Sequence, residues 1–441
     1  MSQAQSRAQT QTTPTKATPK RSSPAAQRSV TKRVIRKRSV RDLDLAGKRV
    51  LLRADFNVPL IAHIDGPRVA DDARIRGAVP TIQYLRAHGA AVIVCSHLGR
   101  PQGQIRDDLR LAPVAPVLAA LIGAGVGTAD DCIGSDVRAA AKALKPGQVL
   151  LLENLRFHPQ EEANNAAFAK RLAKLADLYV NDAFGAAHRA HASVEAVAHQ
   201  LPSAAGLLLE AEILRLANVF SESESVAVVS GGAKVSDKLG LLHSVVARAR
   251  VLCIGGAMAN TFLLANGIDI GPSLAEPDMV EEARAIQAEA EASGCRLILP
   301  VDAVIAQGPD QPPQARPFLL QEEKLPAGWR ILDIGPRTIE SFAEALRGIQ
   351  TIVWNGPMGL FEREAFAGGT RALALLLAKL DADVIVAGGE TLAATTQAGV
   401  ADKMAHRSTG GAAALELLEG RDLPGIDALP DAPPDAPLPN D

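Results

Sequence analysis

One alternation constrains this chain more than any other feature. Short runs of Val, Ile and Leu are separated by longer Ala-rich stretches of helical spacing, such as "RLAPVAPVLAALIGAG" and "EEARAIQAEAEASG". Unbroken apolar runs read as strands buried on both faces, and helices between them impose parallel sheets covered on either side. The predicted fold class is α/β. A first set of runs comprises "RVLLRADFN", "AAVIVCSHLGRP", "GQVLLLENLRF" and "LYVNDAFGAAHRAH". A second comprises "SVAVVSGGAK", "RVLCIGGAMANTF", "CRLILPVDAV", "TIVWNGPMGLFE" and "DVIVAGGETLAA". Between the sets, "SAAGLLLEAEILRLANVF" has the apolar spacing of one long helix, a natural connector. At 441 residues the chain is long for a single core. We therefore expect an N-terminal domain over 41–206, an interdomain helix over 207–221 and a C-terminal domain over 222–410, each domain a Rossmann-like parallel sheet flanked by helices.

The two ends are different objects. The first 41 residues carry 11 of the 47 Lys and Arg and no acid, so the remainder is acidic on balance. Rich in Gln, Thr, Ser and Pro, residues 1–40 cannot bury a core and are expected to form a disordered basic tail. The same composition suits an organelle transit peptide or an arm for nucleic acid or another anionic surface. Residues 431–441, rich in Pro and Asp, read as a frayed end. Hydrophobic residues at 47% exclude a largely disordered chain, and no apolar run approaches the ~20 residues that span a bilayer. The four cysteines, Cys95, Cys132, Cys253 and Cys295, are too scattered for a metal knuckle and read as buried free thiols of a reducing compartment.

In open parallel sheets, ligands gather beyond the carboxyl ends of the strands, where helix N-termini present unpaired amides. In the first half those ends carry Asp55, Asn57, His97, Arg100, Arg156, Asp182, His188 and Arg189, with Arg74 in the loop "DDARIRGAVP". In the second half they carry Gly231, Gly232, Gly255, Gly256, Gly356, Gly359, Gly388 and Gly389, with little charge beyond Lys234, Lys238 and Glu390. Glycine turns let backbone approach a ligand closely and aim amides at phosphate. A buried strand has no packing use for the cation that follows "VAVVSGGA", so Lys234 serves something else. One half thus suits a small, highly anionic molecule and the other a nucleotide, which points to phosphoryl transfer between them. Neither a G-x-x-x-x-G-K-[ST] loop nor a G-x-G-x-x-G fingerprint occurs.

The motifs "RADFNVP", "SHLGRP", "LLENLRF", "YVNDAFGAAHRAHAS", "GGAKVSDK", "GGAMANTF", "WNGPMGLFE" and "STGGAAALELLEG" follow one another in order from about Val40 to Leu429. In this the chain resembles the phosphoglycerate kinase family. The resemblance implies two similarly sized α/β domains closing about a hinge, with residues 411–430 returning to the N-terminal domain. It implies a phosphotransferase with a carboxyl group as acceptor, working between 1,3-bisphosphoglycerate and MgADP, or 3-phosphoglycerate and MgATP. A soluble cytoplasmic monomer with no membrane or nucleic-acid partner is the corresponding expectation.

Carried over by position, Asp55 and Asn57 hydrogen-bond the glycerate end, and Arg74, His97, Arg100, Arg156 and Arg189 line the basic basin, where Arg offers two-pronged donation to phosphate. Arg74 reaches the transferring group, Lys234 follows it, and Lys238 contacts nucleotide phosphate. Glu362 matches the ribose contact, Gly256 and Gly356 frame the adenine slot, and Gly388, Gly389, Glu390 and Thr391 face the phosphates, with Glu390 acting through Mg²⁺. The chain departs from the family's pattern at Ala387 and Ala412, where glycine is usual, and at Glu390, where aspartate is usual. A kinase of another small carboxylate would share the glycine-rich half but replace some of Asn57, Arg74 and Arg156.

Overall fold

A computed structural model describes residues 34–64, 66–223, 225–310 and 314–433. The first half supplies β1 (Arg49–Arg53), β2 (Leu60–Ile61), β3 (Arg68–Val69), β4 (Ala91–Cys95), β5 (Val126–Thr128), β6 (Val149–Leu151), β7 (Leu178–Asn181) and β8 (Ser203–Ala205). Six of these form a parallel sheet ordered β5-β6-β4-β1-β7-β8, while β2 and β3 pair as an antiparallel ribbon. The second half supplies β9 (Val226–Ser230), β10 (Val251–Ile254), β11 (Arg296–Ile298), β12 (Asp302–Ala306), β13 (Arg316–Leu319), β14 (Arg330–Ile334), β15 (Thr351–Asn355), β16 (Asp383–Ala387) and β17 (His406–Ser408). Its parallel sheet runs β11-β10-β9-β15-β16-β17.

The α/β class therefore stands, with two six-stranded parallel sheets flanked by helices. Central strands such as β4 and β9 are buried at every residue, which is why they read as unbroken apolar runs. Two details of the strands differ from the sequence reading. Edge strands β5, β8 and β17 are three residues each, too short to show a period. The run "CRLILPVDAV" is two strands: β11 ends the parallel sheet, and β12 starts a separate antiparallel sheet ordered β13-β12-β14. Pro300 stands between them and donates no ladder hydrogen bond.

The connecting segment is helical over Leu207–Glu212, π-helical over Ile213–Ala217 and helical again over Val219–Glu222. Buried Asp182 accepts hydrogen bonds from the amides of Leu208 and Leu209 at 3.0 and 3.2 Å, satisfying the start of that segment. Burial pushes this carboxyl up to about 7. Asp182, grouped by sequence with the basic basin, thus serves the connector instead. One apolar core runs from Leu51 and Ile93 through Ile213 and Leu216 to Val228, and takes in Leu417 and Leu418.

The C-terminal residues pack back on the first half. Asn181 donates to the Gly425 carbonyl at 2.9 Å, and a Cβ on Gly425 would lie 2.9 Å from Ala187 Cα. Residues 1–33 of the expected tail lie outside the described residues, as do 434–441. Residues 34–40 do not behave as a tail: Val40 is fully buried, Ser39 bridges to Ala205, and Arg38 donates to the Pro430 carbonyl at 2.9 Å. Ile35, packed on the main apolar core and hydrogen-bonded through its backbone to the Asn218 side chain, and the partners offered by the returning chain hold this stretch against the body. The four cysteines are buried and free.

Candidate active site

In the first sheet β1 lies between β4 and β7, with Arg53 opposite both Cys95 and Asn181. The loops that leave these strands therefore meet. Asp55, nearly buried, accepts a hydrogen bond from the Asn57 amide at 3.1 Å and forms a short ion pair with Arg74. Asn57 Oδ1 accepts from the Gly99 amide at 2.9 Å. Glycine is required at Gly185, because a Cβ there would sit 2.5 Å from the Asp55 carboxylate.

Arg156 is buried, donates to the Gly99 carbonyl at 2.8 Å and lies 3.2 Å from Glu162, yet its Nη2 has no hydrogen-bond partner. Burial lowers it to about 10. A buried guanidinium with an unspent donor suits a site for an anion. Half-buried Arg189 donates to His188 at 3.0 Å, and exposed Arg100 stands at the rim.

His97 is buried, and its Nδ1 lies 3.1 Å from Arg53 Nη2. Because guanidinium can only donate, Nδ1 accepts and the ring proton sits on Nε2. Burial, then the charges of Arg53, Arg156, Arg189 and Arg74, hold His97 well below the usual histidine range. His191 is pushed down to about 3 by burial and then by the charges of Arg156, Arg53 and Arg189. The positive charge of the basin is thus carried by arginine alone, with the histidines neutral.

Arg53 escaped the sequence reading. It is fully buried, donates to Ser193 Oγ at 2.8 Å and to the Ala54 carbonyl, and reaches His97. Ser193 in turn donates to Glu161 at 2.5 Å from its hydroxyl and 2.9 Å from its amide. The missed signal is a cation within an apolar run, the same signal that singled out Lys234.

The second sheet builds a different wall. Lys234 is exposed on the turn after β9 and forms no hydrogen bond or ion pair among the described residues. Lys238 behaves otherwise: its Nζ donates to the carbonyls of Gly231 at 2.5 Å and Asn355 at 2.9 Å, and burial lowers it to about 8. A Cβ on Gly231 would lie 2.1 Å from the Pro357 carbonyl, and Gly256 has φ +67° with Gly232 2.5 Å from where its Cβ would be. These glycines let the two turns close on each other. Gly356 has φ +97°, and its amide donates to Thr391 Oγ1 at 2.7 Å, so the Thr391 hydroxyl ties the turn after β15 to the helix Gly389–Gln397. No side chain caps that helix, whose N-cap is Gly388 at φ +97°, with exposed Gly389 following.

Beside these turns lies a cavity of about 270 Å³, lined by Gly232, Gly256, Leu263, Met358, Glu362 and Glu390 among others. It is predominantly apolar, with carboxylates at the edge, a form suited to a planar base and a charged tail. Neither alanine departure introduces backbone strain: among described non-glycine residues only Gln102 and Asn164 have positive φ. Ala387 simply ends β16, and Ala412 begins the helix Ala412–Leu418 after Gly411.

An arginine basin on one sheet and a glycine-walled cavity on the other define a nucleotide-dependent phosphotransferase acting on a small anion. The profile of the phosphoglycerate kinase family matches residues 40–421. A phosphoglycerate kinase of Moorella thermoacetica is 54% identical over 393 residues, covering 88% of this chain and 98% of its own length. Among solved structures, the phosphoglycerate kinase of Coxiella burnetii aligns with TM-score 0.80 at 39% identity, and that of Pyrococcus horikoshii with 0.76 at 34%. Each alignment covers 89% of this chain and 98% of the other. The chain belongs to the phosphoglycerate kinase family. No helix among the described residues is long and apolar enough to cross a membrane.

Proposed function

We propose that the chain reversibly transfers a phosphoryl group from 1,3-bisphosphoglycerate to MgADP, giving 3-phosphoglycerate and MgATP, as a monomeric cytoplasmic enzyme. The observation that carries this reading is the buried Arg156 with its unspent donor in a basin of arginines, set on the sheet opposite the glycine-walled cavity. A coupled assay for ATP formation from 1,3-bisphosphoglycerate and MgADP tests it. Absence of turnover with that pair, alongside turnover with another acyl phosphate, would reassign the substrate.

In this reading Asp55 and Asn57 receive the glycerate hydroxyl and carboxyl end, while Arg100, Arg156 and Arg189 hold the distal phosphate. His97, neutral with its proton on Nε2, donates without adding charge. Arg74, paired with Asp55, turns part of its fork to the transferring group. Lys234 meets the same group from the other sheet. The attacking oxygen is already ionised, so no general base is needed. The protein's work is alignment, exclusion of water and compensation of charge. Arg74, expected in a loop, lies in the first turn of the helix Ala73–Ala87 of the first half, and Lys234 on the turn after β9 of the second; a hinge closure that brings them together is therefore part of the proposal, with the π-helical connector as its natural place.

Mg²⁺ arrives with the nucleotide, and we assign to it Glu390, exposed at the cavity edge in the first turn of an uncapped helix. A single hard oxygen ligand beside substrate phosphates fits this ion, which neutralises phosphate charge when bound. Glu390→Gln should raise the Mg²⁺ concentration needed for half-maximal activity, and Glu390→Asp should be tolerated. Overlapping Mg²⁺ titrations for Glu390→Gln and the unmodified protein would remove the metal role.

A further inference from the structure

We infer that Asp131, Cys132 and His158 form a site for a divalent metal ion of the zinc class, separate from the nucleotide's Mg²⁺. The strands β5 and β6 are neighbours, with Thr128 opposite Leu151. Asp131 and Cys132 lie in the segment that leaves β5, and His158 closes the turn Leu155–Phe157 that follows β6. One ligand atom from each of the three lies within 4.8 Å of the others. His158 Nε2 is already 2.6 Å from Asp131 Oδ1.

The three side chains are placed as a site rather than as scattered polar groups. Cys132 is fully buried, so its sulfur forms the inner end, while the Asp131 and His158 side chains are 47% and 26% exposed and leave an entrance from solvent. The Cys132 amide donates to Asp131 Oδ1 at 2.6 Å, and the His158 ring packs on Phe168 with centroids 5.3 Å apart, so both outer ligands are oriented from behind. A plain Asp–His hydrogen bond has no need of a thiol at its inner end.

Ligand chemistry selects the ion. One sulfur, one imidazole nitrogen and one carboxylate oxygen suit zinc, cobalt or cadmium, whereas Mg²⁺ and Ca²⁺ prefer oxygen alone. Three protein ligands leave a fourth tetrahedral position on the solvent side for water. Binding is balanced: a metal–sulfur bond forms as the Cys132 S–H bond breaks, and that proton leaves to solvent. His158 keeps one proton, moved to Nδ1, and coordinates through Nε2. Modest side-chain adjustment brings the three atoms from their present spacing to bonding distance.

Full-length protein free of nucleotide and Mg²⁺ provides the test, with Co²⁺ as spectroscopic probe. One equivalent should produce a thiolate-to-cobalt charge-transfer band and tetrahedral d–d bands, erased by one equivalent of Zn²⁺ with release of one proton per Zn²⁺ bound to the apoprotein. Cys132→Ser should abolish the charge-transfer band. His158→Gln and Asp131→Asn, at partly exposed positions that do not depend on the buried sulfur for folding, should keep a thiolate band and bind cobalt at least about tenfold more weakly. Survival of the band in Cys132→Ser, unchanged affinity in both other variants, or an oxygen-only octahedral spectrum in the unmodified protein would overturn the assignment.

Discussion

Lys234→Ala is expected to turn over at least roughly a hundredfold more slowly while binding ADP within about tenfold of the unmodified protein. The ammonium of Lys234 is exposed and spends no hydrogen bond on the fold, so its removal leaves no buried group orphaned. If it meets the transferring group, it is best placed only when charge has developed there, and such a contact lowers the barrier without tightening the ground state. Removing one preorganised electrostatic contact of this kind typically costs on the order of 10²- to 10³-fold, or ~3 to 4 kcal/mol. Lys238 should behave differently. Its Nζ joins the carbonyl of Gly231, just after β9, to that of Asn355, which ends β15, so Lys238→Ala should loosen the cavity and show much of its defect in nucleotide KM. Measuring kcat, KM and ADP affinity for both variants separates the roles. A Lys234→Ala enzyme with near-normal kcat and only a raised KM would make Lys234 a binding residue.

The contrast between the two lysines marks what a sequence can disclose. Both stand in "GGAKVSDK", and both read as cations at a strand end; in the fold one is exposed and the other is folded back under two carbonyls. The central strands were legible because burial on both faces leaves unbroken apolar runs. The edge strands were not, since three residues carry no period, as in Ser203–Ala205 beside β7. Thr391 follows the same logic: its position in the glycine-rich turn was visible, but its bond to the Gly356 amide depends on a neighbouring strand. Arg53 was hidden by its surroundings, because "RVLLRADFN" reads as strand with a tolerated charge. What makes that charge tolerable is a buried network assembled from Ser193 and Glu161, more than a hundred residues away.

That network carries the second large effect. Arg53→Met should destabilise the protein by about 3 to 5 kcal/mol at neutral pH, the usual cost of removing one partner from a buried charged cluster, and should also raise KM for 3-phosphoglycerate by freeing His97. The loss should depend on pH in a definite direction. Burial raises Glu161 above its ordinary value of 4.5, and Arg53 is the largest influence holding it down. A carboxyl that binds its proton more tightly folded than unfolded loses folded-state stability as pH climbs above the unfolded value. Without Arg53 that shift grows, so the deficit widens from about pH 4.5 upward. The histidines act in the same sense: Arg53 lowers His97 and His191, a burden felt in acid that the variant no longer bears. Urea unfolding of both proteins at pH 5 and pH 7.5 should therefore give a smaller gap at the lower pH. Adding Glu161→Gln to Arg53→Met should recover part of the loss at pH 7.5, because the remaining amide needs no counter-charge. An equal gap at both pH values, with no recovery in the double variant, would mean that Arg53 acts through packing and that the chain Arg53–Ser193–Glu161 is not an electrostatic unit.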